Sequence, residues 1–155
     1  MNKTIIAIYG RANEGKSETI KLICQNIIRI FPNAIPSEIN IDYSGDILVT
    51  ISIGKIKIGI ESQGDPNSRM ISEDTIKKLA DITFDKNLGN CDIIICATRT
   101  DGMTVKKVDE IADKYNYNTL YLSSFWSPTL NHQVLNQIAA ENVIEIITAL
   151  MLGRL

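Results

Sequence analysis

The stretch that decides the reading is Thr4-Ile5-Ile6-Ala7-Ile8-Tyr9-Gly10-Arg11-Ala12-Asn13-Glu14-Gly15-Lys16-Ser17. Its first six residues are a near-continuous apolar run halted by glycine, which suits a strand buried on both faces of a parallel sheet. Its last eight match G-x-x-x-x-G-K-[ST] without a gap, straight after that strand. Ser17 opens a helix to Ile30, with Ile20, Leu22, Ile23, Ile27, Ile28 and Ile30 recurring at three- and four-residue steps before Pro32 stops it.

Each position of the turn has a physical reason. Gly10 and Gly15 permit torsions and a close approach that a side chain would obstruct, so successive backbone N–H groups can surround a phosphate. Lys16 sets an ammonium against the β- and γ-phosphates, and Ser17 offers its hydroxyl to Mg²⁺. The helix that Ser17 begins directs its positive end to the same place. On these residues the chain resembles the P-loop NTPase superfamily. The resemblance implies a nucleoside triphosphate, ATP or GTP, bound with Mg²⁺ at the carboxyl end of the sheet. The implied binding residues are Gly10, Arg11, Ala12, Asn13, Glu14, Gly15, Lys16, Ser17 and Glu18.

Outward from this unit, residues 33–45 read as a connection through Pro36, Ser44 and Gly45. Asp46 to Ile53 and Ile56 to Ile60 alternate apolar and polar around Gly54-Lys55, which predicts a hairpin at a sheet edge with one wetter face. A helix follows from Ser72, its N-cap, to about Leu88. The run DIIICA, residues 92–97, predicts a second buried strand, Thr104 to Tyr115 an amphipathic helix, and Thr119 to Leu122 a third core strand. The last helix spans Asn131 to about Leu152, with Val134, Leu135, Ile138, Val143, Ile146, Ile147 and Leu150 as its stripe. Its apolar end, Met151 and Leu152, either closes the core or joins another subunit. The expected fold is α/β, a three-layer sandwich around a mostly parallel five-stranded sheet with one antiparallel edge strand, in a single domain spanning residues 1–155.

A triphosphate site needs an acid near the metal. Glu61-Ser62-Gln63-Gly64-Asp65 follows the hairpin and resembles the D-x-x-G switch of small GTPases, with Glu61 in place of aspartate. Glu61 and Asp65 are alternative metal ligands there, and Gln63 can orient an attacking water. Thr98-Arg99-Thr100-Asp101 sits where GTPases carry [NT]-K-x-D, so Asp101 is a guanine-edge acceptor by resemblance, although Arg99 replaces the lysine. Arg99 can instead neutralise transferring phosphate charge. Ser123-Ser124-Phe125 lacks the alanine and lysine of the family's S-A-K loop. His132 reads as a polar surface residue, and Trp126 with Phe125 as packing for the last loop or lining for a base pocket.

Composition narrows the remainder. The 155 residues carry 16 Lys and Arg against 18 Asp and Glu, a net charge of −2, so whole-surface attraction to nucleic acid or acidic lipid is not expected. Aromatics at 6% argue against a base-stacking platform for single strands. Cys24, Cys91 and Cys96 lack metal-ligand spacing and read as buried small apolar residues, and no uninterrupted apolar run reaches membrane length. A cytoplasmic, reducing setting follows as the default. The functional expectation is slow Mg²⁺-dependent hydrolysis of a triphosphate, with a switch as its use. The alternatives are a small-molecule kinase, disfavoured by the lack of an arginine-rich lid between residues 100 and 130, and a nucleotide-dependent interaction module with a protein partner or a second copy of the chain.

Overall fold

In β1 (Thr4–Tyr9) every second side chain faces the same way, and the alternation builds the layers: Ile6 and Ile8 enter one core, Ile5 and Ala7 the other. The computed structural model describes residues 1–11, 13–63, 72–100 and 102–155, without the side chains of 72–74 and 103. Ala12, Gly64, Asp65 and Asp101, all named above, lie outside the described residues.

The described residues form α1 (Lys16–Ile30), β2 (Ala34–Pro36), β3 (Leu48–Ile53), β4 (Ile56–Glu61), α2 (Ser72–Ala80), β5 (Ile93–Thr98), α3 (Met103–Tyr115), β6 (Asn118–Ser123) and α4 (His132–Met151) after β1. The sheet order is β2-β3-β4-β5-β1-β6. Strand β1 is central and pairs in parallel with β5 and β6, and β4 joins β5 in parallel. Only β3 runs against them. Helices α1 and α4 cover one face, over a core of Ile6, Ile23, Ile51, Ile58, Ile95 and Ile147 among others. Helices α2 and α3 cover the other, over Ile5, Leu79, Ile94 and Val108. Each wholly buried isoleucine contributes about 1.5–3 kcal/mol, and β-branched side chains also favour the strands they occupy.

Six strands replace the expected five, because residues 34–36 pair antiparallel with β3 instead of forming only a connection. Pro36 has no N–H to give, which an edge position tolerates. The antiparallel strand is therefore one place in from the edge over Ile51–Ile53. The hairpin's outer face is also drier than its pattern predicts. Gly59 is buried, and a Cβ there would lie 2.8 Å from Cys91 Sγ and 2.9 Å from Leu79 Cδ2, because α2 crosses at that point.

Helix α2 ends at Ala80, short of Leu88. The Asp81 carboxylate accepts from Thr83 N, and that of Asp85 accepts from Asn87 N and Leu88 N. These local bonds compete with helix continuation. Helix α4 is long and apolar enough, by length and composition, to cross a membrane, yet Ala140, Val143, Ile147 and Leu150 close the core beside α1. Its stripe is rotated from the predicted one: Val134 and Ile138 are exposed, and Asn136 is buried in their stead.

Candidate functional site

Parallel strands deliver the ends of β4, β5, β1 and β6 to one edge of the sheet, and the start of the antiparallel β3 arrives at the same edge. A cleft of about 500 Å³ opens there, lined by Asn13 to Glu18, Asp46, Ser62, Gln63, Arg99, Trp126 and Asn136 among others.

The Gly10–Ser17 turn forms one wall. Gly15 has φ +80° and caps α1 without a side-chain bond, so the first-turn N–H groups of the helix keep no side-chain acceptor at that cap. Asn13 also adopts a left-handed conformation, with φ 60°. A Cβ on Gly10 would lie 2.5 Å from Ser124 Oγ, and one on Gly15 would lie 2.4 Å from Asn136 Oδ1. A side chain at either glycine would therefore displace the neighbouring Ser124 or Asn136 side chain. Lys16 is buried and its Nζ donates to the Gly10 carbonyl at 2.7 Å. The Glu14 carboxylate accepts from Arg11 N at 2.9 Å, so the loop uses its own anion on one of its own amides. Arg11 is exposed and does not line the cleft.

Opposite the turn, Ser17 Oγ donates to Asp46 Oδ1 at 3.2 Å, and Ser62 Oγ donates to the same oxygen at 2.9 Å. Ser62 is itself fixed, its hydroxyl accepting from Ile47 N and its N–H donating to the Ile47 carbonyl. The acid beside Ser17 is therefore Asp46. Glu61 lies elsewhere: with Ile58 and Ile60 turned to the α1–α4 core, alternation sends Glu61 toward α2. It is 1% exposed, accepts from Thr75 Oγ1 at 2.6 Å, and leaves Oε2 buried without a partner. Burial pushes its carboxyl up to about 8, the Thr75 hydroxyl opposes this, and the negative charge of Asp46 adds to it. At neutral pH Glu61 is mainly a neutral acid outside the cleft. Thr75 is accordingly its partner.

Gln63 and Arg99 line the cleft, Arg99 with its N–H on Thr104 Oγ1. Ser124 Oγ and Thr98 Oγ1 are buried near this end without a protein partner. Trp126 is 47% exposed and Phe125 37%, so neither packs into the core as expected. His132 lines the cleft too, its Nε2 donating to the Ser127 carbonyl. Among the described residues no group of three or more His, Cys, Asp or Glu could hold a metal alone.

Sequence reasoning passed over Asp46, read only as the first residue of the hairpin's leading strand, and Asn136. The available signals were that β3, running against β4, begins where β4 ends, and that position 136 shares the helical spacing of 139, 140, 143 and 147. No protein-family model matches the chain, and searches of curated proteins and of solved structures give no match either.

Proposed function

We propose that the protein is a P-loop nucleotide-binding protein that takes ATP or GTP with Mg²⁺ and hydrolyses the β–γ bond slowly. The observation that carries this reading is Lys16: a buried ammonium at the base of the cleft, folded onto the Gly10 carbonyl inside a glycine turn that opens a helix. An ammonium beside a glycine turn makes charge-assisted hydrogen bonds to phosphate oxygens, which a triphosphate tail supplies. The amides from residue 13 to 17 and the start of α1 would add neutral donors and a favourable dipole.

The residues present fit Mg²⁺. The Ser17 hydroxyl and the Asp46 carboxylate are hard oxygen donors 3.2 Å apart, and such an ion completes its shell with phosphate oxygens and water. When bound, Mg²⁺ supplies charge neutralisation at the β- and γ-phosphates. Ser62 holds Asp46 in place, and the Gln63 amide, which donates and accepts, suits the positioning of an attacking water. Arg99, across the cleft, suits charge gathering on the leaving phosphate. A switch is the use that slow turnover best serves.

Calorimetric titration with ATP and GTP in Mg²⁺, together with phosphate release, tests the reading. Lys16→Ala should abolish binding while leaving the circular dichroism spectrum unchanged. Undiminished affinity in that variant overturns the phosphate site. Turnover that requires a metabolite acceptor moves the protein to the kinases, and binding with no release moves it to the interaction modules.

A further inference from the structure

The chain has a single tryptophan, and it stands 47% exposed at the cleft. Burial of a ring this large is a major stabilising term, so a half-exposed indole at a cleft wall calls for an explanation. Strand β6 pairs with β1 in register, Tyr9 opposite Ser123, and Ser124 N donates to the Tyr9 carbonyl at 2.9 Å. The residues just after β6 are thereby held beside the Gly10–Ser17 turn. Trp126 and His132 line the same cleft as Lys16 and Ser17, with ring centroids 6.0 Å apart and planes tilted by 32°.

The segment carrying these rings is well fastened. Ser127 Oγ accepts from Thr129 N at 3.2 Å and Leu130 N at 3.1 Å, and the His132 ring is tied to the Ser127 carbonyl. Asn131 caps α4 by accepting from Val134 N. A preorganised aromatic surface loses little freedom when a flat ligand settles on it.

We infer that Trp126, supported by His132, is the seat of the nucleobase, which it holds by stacking. The inference rests on the triphosphate reading above and adds the other end of the same ligand. Stacking engages the π-face that every base shares, so the shelf confers affinity for a base without reading its edge.

The test uses ATP, GTP and inorganic tripolyphosphate, each with Mg²⁺, on the full chain by calorimetry, with thermal melts to establish that each variant folds. Trp126→Leu should weaken ATP and GTP together by roughly 5- to 150-fold, leave tripolyphosphate unchanged, and be largely rescued by Trp126→Phe. ATP, but not tripolyphosphate, should quench the fluorescence of the sole tryptophan in the native protein. Full ATP affinity in Trp126→Leu, with tripolyphosphate still bound and dependent on Lys16, overturns the shelf and leaves the phosphate site standing. Failure of the native protein to bind either nucleotide or tripolyphosphate overturns both.

Discussion

Ser17 Oγ and Asp46 Oδ1 face each other at 3.2 Å across the mouth of the cleft, joining the first turn of α1 to the start of β3. Ser62, just past β4, completes the arrangement by donating to the same carboxylate oxygen. Two hydroxyls therefore fix the one described carboxylate that faces the lysine turn from the opposite wall. The contact draws together segments 29 positions apart in the chain, and its charge is negative where a divalent cation beside a triphosphate would need it.

The first prediction concerns that carboxylate. Asp46→Asn keeps the size and the acceptor oxygen, so Ser17 and Ser62 retain their bonds, but it removes the charge. Nucleotide affinity measured with and without Mg²⁺ should lose most of its metal dependence, by about tenfold to a hundredfold. Glu61→Gln should leave that dependence intact. The reverse pattern, with Glu61→Gln as the damaging change, would return the metal acid to Glu61.

A second prediction follows from Glu61 as a buried neutral acid with its carboxyl pushed up to about 8. In strongly acid solution both the folded and unfolded chains hold this proton, so the group adds no pH dependence to stability. As pH rises through the ordinary carboxyl range, only the unfolded chain releases it. Stability therefore falls, by up to about 1.4 kcal/mol per pH unit, until about pH 8, where both states are ionised and the loss levels off. Glu61→Gln keeps an acceptor for the Thr75 hydroxyl and cannot ionise. Denaturant titrations should show that variant gaining on the native chain steadily between pH 5 and pH 8. Parallel profiles would contradict the assignment.

The layers were legible because they rest on short-range rules. An isoleucine run ended by glycine marked β1, the run DIIICA marked β5, three- and four-residue spacing marked α1, and alternation marked the β3–β4 hairpin. What escaped depends on contacts distant in sequence. Three residues ending in Pro36 carry no strand signal by themselves, and only the open edge of β3 makes them one. The partner that Glu61 finds depends on α2 offering Thr75, and the approach of Asp46 to Ser17 depends on strand order. Asn136 was passed over because what it meets, the neighbouring Gly15, belongs to another element. Local pattern located the turn and its lysine, whereas the opposite wall of the cleft required the assembled sheet.

A third prediction uses the cysteines. Cys24, Cys91 and Cys96 are buried free thiols, and burial raises all three, Cys91 to about 12. Since the thiolate is the reactive form, a thiol-specific disulfide reagent at pH 8 should label almost none of them in the native protein. All three should react promptly in denaturant. Rapid native labelling of any one would show that its side of the core opens under native conditions.

The last prediction concerns the fit between Gly15 and Asn136. Gly15→Ala adds a methyl at φ +80°, a conformation that costs an L-residue about 1–2 kcal/mol, and sets it 2.4 Å from Asn136 Oδ1. Asn136 is the far end of a side chain, so its removal relieves the collision while the backbone strain persists. In a double-mutant cycle read by chemical denaturation, Gly15→Ala should be less costly in an Asn136→Ala background, with a coupling of about 0.5–3 kcal/mol. Nucleotide affinity should fall in Gly15→Ala in both backgrounds, because the amides beyond residue 15 are displaced whether or not the asparagine is present. Strictly additive stabilities would mean that the asparagine gives way freely and that the glycine is required by its torsion alone.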